Sequence, residues 1–488
     1  MLHNYFFVQF HLLYVLKQHQ KVNHLMRKLL KVLNKRFAFS TPILISLTLI
    51  TLFIIMRLYL AYIATIAAVP FDDTPAFFRT SSAPLFSKTL WAGVRPPLVP
   101  LLYKFAHNNY SAIIYLQTVI SITCWFFLAW SLLHWLQSAV GKTVAFCIVV
   151  SLGTCEPIIV WESCLLSESI SISLLAAMIG AWLLYLKDTR RANFIVLLSL
   201  SVCWIFCRET NPWMILILTF FLLPITLLKK NRRFLIMISI FIGVFALHDI
   251  SSSIGKRWAF PLLNVISRRI LPDEKNRAFF ERHGMPITPT LLARTNRCAS
   301  CDNYAYYNDP ALENFRKWFY AKAKQTYILW LVSHPATTMR EPLSNIEYMV
   351  ASGSLFHHAS PSSKRVLPSP LSKLVFPIGY ARYFSLVMVW FLILGTGIAI
   401  GSGVWKKENS WVVGILLVIL AYPHFIIVWH GDVVGFEIER HSLAARVQLN
   451  IAFWIMASLL IDRIIVNAAG LRSLLIETIT SVKQAKWK

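Results

Sequence analysis

The sequence predicts an all-α polytopic membrane protein with about ten transmembrane helices and one large extracytoplasmic loop. Of its 488 residues, 57% are hydrophobic and only 14% are charged, whereas a soluble protein of this size carries about a quarter charged residues. Many apolar runs reach roughly 18 residues, the length that crosses about 30 Å of hydrocarbon. Between these runs the basic residues form short clusters, a pattern typical of cytoplasmic loops.

Ten apolar runs are the predicted spans: 41–66, 111–136, 142–160, 165–186, 192–207, 211–228, 233–250, 380–403, 410–429 and 443–466. The fifth is short, and the polar break CRETNP separates it from the sixth. The chain therefore has four predicted parts: a basic N-terminal segment at 1–40, seven helices at 41–250, a loop domain at 251–375, and three helices with a basic tail at 376–488. We name residues 67–110 the first loop and residues 251–375 the long loop.

The basic clusters set the predicted orientation. With ten spans and a cytoplasmic N-terminus, every basic cluster falls on the cytoplasmic side, as the positive-inside rule requires. Both termini are then cytoplasmic, and we expect a plasma (inner) membrane of bacterial type. The formal charge of +26 is explained by the attraction of these clusters to anionic lipid. We therefore expect a lipid bilayer as a partner and no nucleic acid.

The first loop contains AAVPFDDTPAFFRT, in which Asp72 and Asp73 follow directly on an apolar run. Adjacent acids at a membrane exit are most often merely solvated. A functional interpretation is favoured by the segment LWAGVRPPLVPLLYKF at 90–105. Its prolines cannot sit inside a regular helix without breaking hydrogen bonds, which predicts a structured loop that leads into a short helix.

With these features the chain resembles the GT-C superfamily of integral-membrane glycosyltransferases, which includes protein O-mannosyltransferases and aminoarabinose transferases. The resemblance rests on the acid pair Asp72 and Asp73, the RPPL element about twenty residues later, and a large loop before the last spans. The pair departs from the commoner Asp-Glu followed by Tyr, so the sugar stays open. The resemblance implies transfer of a sugar from a polyprenyl-phosphate donor to a glycan, lipid or protein acceptor at the extracytoplasmic face.

The resemblance also nominates site residues. Either Asp72 or Asp73 is the expected general base, because a carboxylate can take the acceptor's proton. The other acid orients the acceptor or binds a metal; a divalent metal is possible, no cofactor is certain, and no metal ligand is assigned. Arginine suits the donor phosphate because its planar fork binds bidentately. The candidates for phosphate binding are Arg440 with His441 in ERH, then Arg95 and Arg208.

Three further acids, Glu162, Glu168 and Glu439, are expected on the same side of the membrane, where they contact the acceptor or brace the site. Glu168 lies within SESISIS at 167–173, whose serines alternate as in a strand, and Glu162 lies five residues before it. An open strand cannot satisfy its backbone in lipid. The serines are therefore predicted to lie on a helix, where they pack against neighbouring helices.

Two local features complete the predictions. Arg57 lies in the first apolar run and is expected to extend to the membrane surface beside aromatic residues, although an intramembrane charge is also a functional candidate. Cys298 and Cys301 lie in the polar segment RCASCDN, and a local disulfide is favoured over a zinc site because a second ligand pair is absent.

Two other functions fit the composition. A transporter or flippase for a lipid-linked saccharide would show interrupted helices and polar groups near the middle of the membrane, whereas the predicted spans are mostly uninterrupted. A membrane scaffold with the long loop as a binding domain would leave the acids, prolines and arginine of the first loop unexplained.

Overall fold

The computed structural model is all-α, with no strand among the residues that it describes. These residues are 48, 50–63, 70–71, 73–229, 232–351, 369–378, 388–389, 392–393, 395, 410–431 and 438–485. For some of these residues only the backbone is described: 225, 229, 301, 302, 351, 369, 410–413, 439 and 469–485. The chain divides into two compact units, Met1–Met56 and Arg57–Lys488.

Six helices in the described ranges are long and apolar enough to cross a membrane. They are α5 (Tyr110–Leu133), α8 (Glu168–Lys187), α10 (Asn211–Lys229), α11 (Arg232–Ile254), α21 (Ser410–Gly431) and α22 (Ile438–Ala485). A seventh candidate is α6 (Ala139–Gly153) together with α7 (Glu156–Ile159) and the 3-10 turn Val160–Glu162, a pair bent by 49°. The predicted class of an all-α, multi-pass membrane protein is confirmed.

The structure supports fewer spans than the ten predicted. Two predicted spans are the shorter apolar helices α1 (Ile50–Ile63) and α9 (Arg191–Ile205). The second of these is short because the polar segments KDTRR and CRETNP limit it on either side. The predicted span 380–403 lies largely outside the described residues.

Helix α8 is the centre of the bundle. Its apolar stretch is 94% buried, against 22% for α11, and it packs against α5, α9, α21 and α22. Small residues allow close approach: a Cβ on Gly180 would lie 3.1 Å from the Cα of Leu128 in α5. Ser169, Ser171 and Ser173 lie on the helix as predicted, and buried Ser171 accepts a hydrogen bond from Asn211 at 3.1 Å, whereas Ser167 precedes the helix.

The first loop forms three short helices, α2 (Thr74–Ser82), α3 (Lys88–Ala92) and α4 (Leu98–Phe105). Pro97 ends the irregular segment before α4, where its fixed backbone angle suits a helix start. The predicted structured segment leading into a short helix is therefore confirmed. Helix α2 packs against α4, and α3 packs against the end of α11.

The described part of the long loop is also helical. Its helices are α12 (Ala259–Val265), α13 (Glu274–Arg282), α14 (Pro289–Leu292), α15 (Cys301–Asn308), α16 (Glu313–Trp318), α17 (Lys324–Ser333), α18 (Pro335–Ser344), α19 (Ile346–Ala351) and α20 (Ser369–Val375). Phe280, Phe319 and Trp330 lie in an apolar core of their own. Polar contacts tie this region to α21: the Tyr327 hydroxyl donates to the carbonyl of His430 at 2.7 Å.

Candidate active site

The start of α2 fixes the position of Asp73. Thr74 accepts a hydrogen bond from the amide of Phe71 at 2.8 Å, and its own hydroxyl donates to the carbonyl of Leu165 at 3.1 Å. Pro75 in the first turn preorganises the helix. The side chain of Asp73 does not cap the helix, so its carboxylate is available for contacts elsewhere.

Two arginines hold the carboxylate of Asp73. Arg95, from the irregular segment before α4, pairs with Oδ1. Arg440, from the first turn of α22, donates from Nη2 to Oδ2 at 3.0 Å. The guanidinium of Arg95 also lies 4.9 Å from the ring centre of Phe77, which limits its orientations. The structure thus brings together three site residues that are far apart in sequence.

Arg440 links this group to the first residue of α8. Its Nε pairs with Oε1 of Glu168, and Nη2 of Arg208 lies 3.3 Å from the same oxygen. The guanidinium of Arg208 also donates to Nδ1 of His441 at 3.1 Å, because arginine has donors only. We name Asp73, Arg95, Glu168, Arg208, Arg440 and His441 the arginine network.

The arginine network is open at one end and closed at the other. The side chain of Asp73 is 33% exposed and that of Arg95 is 26% exposed, whereas Glu168 is fully buried. Arg208 and Arg440 are about 10% and 9% exposed, respectively. A molecule from solvent or lipid can therefore reach Asp73 and Arg95 first.

The network retains unused binding capacity. Among its described side chains, three arginines share two carboxylates. Two of its buried atoms, Nε of Arg95 and Oε2 of Glu168, have no hydrogen-bond partner among the described residues. Buried polar atoms are normally paired, so these two atoms are expected contact points for a ligand.

An irregular segment at 163–167 supports the closed end of the network. The hydroxyl of Tyr103 donates to the carbonyl of Leu166 at 3.1 Å. Burial, together with the nearby charge of Glu168, raises the pKa of Tyr103 well above its usual value. The same two causes, burial first, raise the pKa of Cys164 to about 12. Both groups therefore stay protonated near neutral pH and serve as packing groups rather than as bases or nucleophiles.

Glu162 lies in a different cluster, which is sealed. Arg57 pairs with Oε1 of Glu162 and donates to Ser121 Oγ at 2.9 Å, while Thr118 donates to Oε2 at 3.3 Å. Gln117 donates to the carbonyl of Glu162 at 3.0 Å. We name Arg57, Gln117, Thr118, Ser121 and Glu162 the buried brace.

The buried brace overturns the expectation that Arg57 extends to the membrane surface. Its side chain is fully buried, and it also donates to the carbonyl of Gly153, where α6 ends. Gln117 reaches the carbonyl of Cys164 at 3.1 Å. The break between α6 and α8 leaves backbone carbonyls without helical partners, and a buried carbonyl without a partner is costly in lipid. Arg57 therefore faces the break, where its guanidinium supplies a hydrogen-bond donor to a backbone carbonyl.

Several predicted site features fall outside the description. Asp72 and the side chain of Glu439 lie outside the described residues. Among the residues described, no group of three or more His, Cys, Asp or Glu could hold a metal ion. Cys298 is disulfide-bonded, in agreement with the expected bond to Cys301, whose side chain is not described.

Sequence reasoning missed one residue beside the network. Arg257 follows the end of α11 in GKRW, and its Nη1 donates to the backbone carbonyl of Arg95 at 3.1 Å. It is only 7% exposed. A charged residue directly after an apolar run is the only sequence signal, and many such residues merely lie at the membrane surface.

Comparison with known proteins adds no further assignment. No protein-family model matches the chain, and no curated protein matches its sequence.

Proposed function

We propose that the protein is an inverting membrane glycosyltransferase that takes a sugar from a polyprenyl-phosphate donor. The observation that carries the proposal is the position of Asp73, a carboxylate held between Arg95 and Arg440 at the open end of the arginine network. A base and phosphate-binding donors within one hydrogen-bonded group are what this transfer needs.

Asp73 is the proposed general base. Its two contacts with arginine use two of about four acceptor positions on a carboxylate, so an acceptor hydroxyl can still donate to it. As the acceptor oxygen forms a bond to the anomeric carbon, the bond from that carbon to the phosphate oxygen breaks. The hydroxyl proton passes to Asp73, and the phosphate leaves with the bonding electrons. A single displacement inverts the anomeric carbon.

Arg95 and Arg440 are proposed to hold the phosphate. Charge-assisted hydrogen bonds from arginine to phosphate are about twice as strong as neutral ones, and Arg208 adds charge behind them. The unused Nε of Arg95 offers a further donor. The unused Oε2 of Glu168 can accept from a hydroxyl of the sugar or acceptor.

The same proposal includes the number of membrane spans and the side of the membrane on which the termini lie. Ten spans with both termini in the cytoplasm would place the arginine network at the extracytoplasmic face of a plasma (inner) membrane. Polyprenyl-phosphate donors present their sugars at that face, and the acceptor is a glycan, lipid or protein. A basic cytoplasmic surface opposite the site is consistent with the distribution of lysine and arginine.

A transfer assay on the purified protein in detergent tests the proposal. The substrates are a panel of radiolabelled polyprenyl-phosphate sugars with a membrane extract as the acceptor source, and the readout is released polyprenyl phosphate. Asp73→Asn is expected to lower the release rate by about 10²–10⁴-fold, the usual contribution of a general base. Asp72→Asn tests the neighbouring acid in the same assay.

The matched control is Asp188→Asn, which changes an ion-paired carboxylate directly after α8, at the end of the helix opposite Glu168. Its rate is expected to equal that of the wild type. Equal rates for Asp73→Asn and wild type would remove Asp73 as the base. Donor binding without release by the wild type would overturn the enzyme proposal.

The break between α6 and α8 gives the transporter interpretation one supporting observation, since interrupted helices often line transport sites. However, carbonyls of Gly153, Glu162 and Cys164 in this break are bound by Arg57 or Gln117. These carbonyls therefore already accept hydrogen bonds from side chains of the protein. Movement of a labelled donor across vesicles without its cleavage would favour transport.

A further inference from the structure

The backbone that carries Arg95 is fixed by the end of α11. Arg95 lies between α3 and α4, in a segment without regular helical hydrogen bonds. Ser251 donates to the carbonyl of Trp91 at 2.5 Å, and Arg257 donates to the carbonyl of Arg95 at 3.1 Å. These two bonds hold the segment at both ends.

Between these bonds the two backbones are in direct contact. A Cβ on Gly255 would lie 2.1 Å from the carbonyl oxygen of Gly93 and 2.9 Å from that of Ala92. Real Cβ atoms do not approach backbone that closely, so only glycine fits at position 255. The end of α11 and the segment before Arg95 therefore cannot separate or slide without losing this contact.

Arg257 itself is held in one orientation. Its Nε lies 2.6 Å from Oε1 of Glu209, and its Nη2 donates to Ser251 Oγ at 3.0 Å. Ser252 donates to the other oxygen of Glu209 at 3.0 Å. Lys256, directly before it, has a left-handed backbone with φ of 53°, a conformation unusual for a residue other than glycine. The chain reverses there, and the Arg257 side chain contacts the last turn of α11.

This arrangement joins two phosphate-binding candidates. Glu209 directly follows Arg208, so one side chain, Arg257, contacts both the segment of Arg95 and the segment of Arg208. A second tie is the amide of Leu98, which donates to the carbonyl of Phe206 at 3.3 Å. The spacing between Arg95 and Arg208 is thereby set from outside the arginine network.

We propose that Arg257, with Glu209 and Gly255, forms a positioning clamp that sets the spacing of Arg95 and Arg208 for an anionic phosphate ligand. The proposal rests on the proposed function for the identity of the ligand. Arg257 touches no substrate and acts only through the backbone of Arg95 and the side chain of Glu209. Its loss therefore changes ligand affinity more than the rate of the chemical step.

The first test uses a matched pair of glycines. Gly255→Ala, directly after α11, must displace Gly93, whereas a Cβ on Gly243, inside α11, would meet nothing within 4 Å. Hydrogen–deuterium exchange in detergent needs no substrate and reports on peptide 91–99. Exchange in this peptide is expected to rise about tenfold in Gly255→Ala and to stay at the wild-type rate in Gly243→Ala, because local opening governs exchange.

The second test separates positioning from general stability. Arg257→Ala is expected to raise the KM for the polyprenyl-phosphate donor by about tenfold and to change kcat by less than about threefold, because losing binding that is equal in the ground state and the transition state raises KM alone. Arg257→Lys has a single nitrogen that cannot reach Glu209 and the Arg95 carbonyl together, so the same rise is expected. Arg294→Ala removes another arginine–carboxylate pair, with Asp309 at 3.2 Å, and should change neither constant.

The outcomes are distinguishable. Unchanged exchange in Gly255→Ala would overturn the clamp whether or not the protein transfers a sugar. If exchange increases in Gly255→Ala but the KM of Arg257→Ala is unchanged, the contact is merely structural, and the clamp is also overturned. If wild type transfers no sugar, the proposed function fails, and the exchange experiment still decides whether α11 fixes the Arg95 segment. If Arg257→Ala does not fold, Arg257→Lys and Gly255→Ala carry the test.

Discussion

The arginine network and the buried brace use the same chemistry for different purposes. Both pair arginine with glutamate near the segment 163–167. In the brace, Arg57 and Glu162 are closed off, with side chains 0% and 8% exposed. In the network, Asp73 is one-third exposed. Access, rather than residue type, distinguishes the structural cluster from the candidate site.

The largest effect is expected in the buried brace. Arg57→Met leaves Glu162 buried without its cation, and breaking one partner of a buried pair costs about 3–5 kcal/mol. The free energy of unfolding, followed by tryptophan fluorescence in detergent, measures the loss. The double variant Arg57→Met, Glu162→Leu should recover most of it, because apolar replacement of both partners is often neutral.

If the free energy of unfolding of Arg57→Met lies within about 0.5 kcal/mol of the wild-type value, the substitution behaves like an ordinary surface substitution. In that event the buried brace does not stabilise the fold, and Arg57 becomes a functional candidate again.

A smaller loss of stability is expected in the arginine network. Arg440→Ala removes a partner from both Asp73 and Glu168, yet Arg95 and Arg208 still pair with them. The cost should be about 1.5–3 kcal/mol, the range for hydrogen bonds to charged groups. Donor affinity should fall by about tenfold or more, the equivalent of 1.4 kcal/mol.

Arg440→Lys distinguishes geometry from charge in the same measurements. Lysine is a point charge without a planar fork, so it cannot bridge both carboxylates, and its donor affinity should stay close to that of Arg440→Ala. Full recovery by lysine would mean that the network supplies charge alone.

The smallest effect concerns the thiol between the two clusters. Cys164 is 1% exposed, and burial, with Glu168, raises its pKa to about 12. At pH 8 only about 10⁻⁴ of such a thiol is ionised, and the thiolate is the reactive form. Mass spectrometry of maleimide-treated native protein should show this cysteine unmodified, with full modification after denaturation. Rapid labelling of the native protein would mean that solvent reaches between the clusters.

The sequence predicted the fold class and the members of the arginine network, because hydropathy and charge asymmetry report on membrane location. The sequence predicts all six as site residues: Asp73, Arg95, Glu168, Arg208, Arg440 and His441. It could not predict that Arg57 pairs with Glu162, since periodicity carries no information about a partner 105 positions away. The break between α6 and α8 was not predicted either, although Gly153, Glu156 and Pro157 interrupt the predicted span 142–160 and were a signal for it.

The contact between Arg440 and Glu168 joins residues 272 positions apart, and this distance has a consequence for biosynthesis. Glu168 enters the membrane with the fourth predicted span, and Arg208 emerges forty residues later. Arg440 follows only after roughly ten seconds or more of further translation, at about 5–20 residues per second. During that interval the growing chain holds a carboxylate at the start of α8, the most buried of the described candidate spans, with one of its two cations. Insertion of α22 therefore gives Glu168 its second cation and joins Glu168 to Asp73 through Arg440.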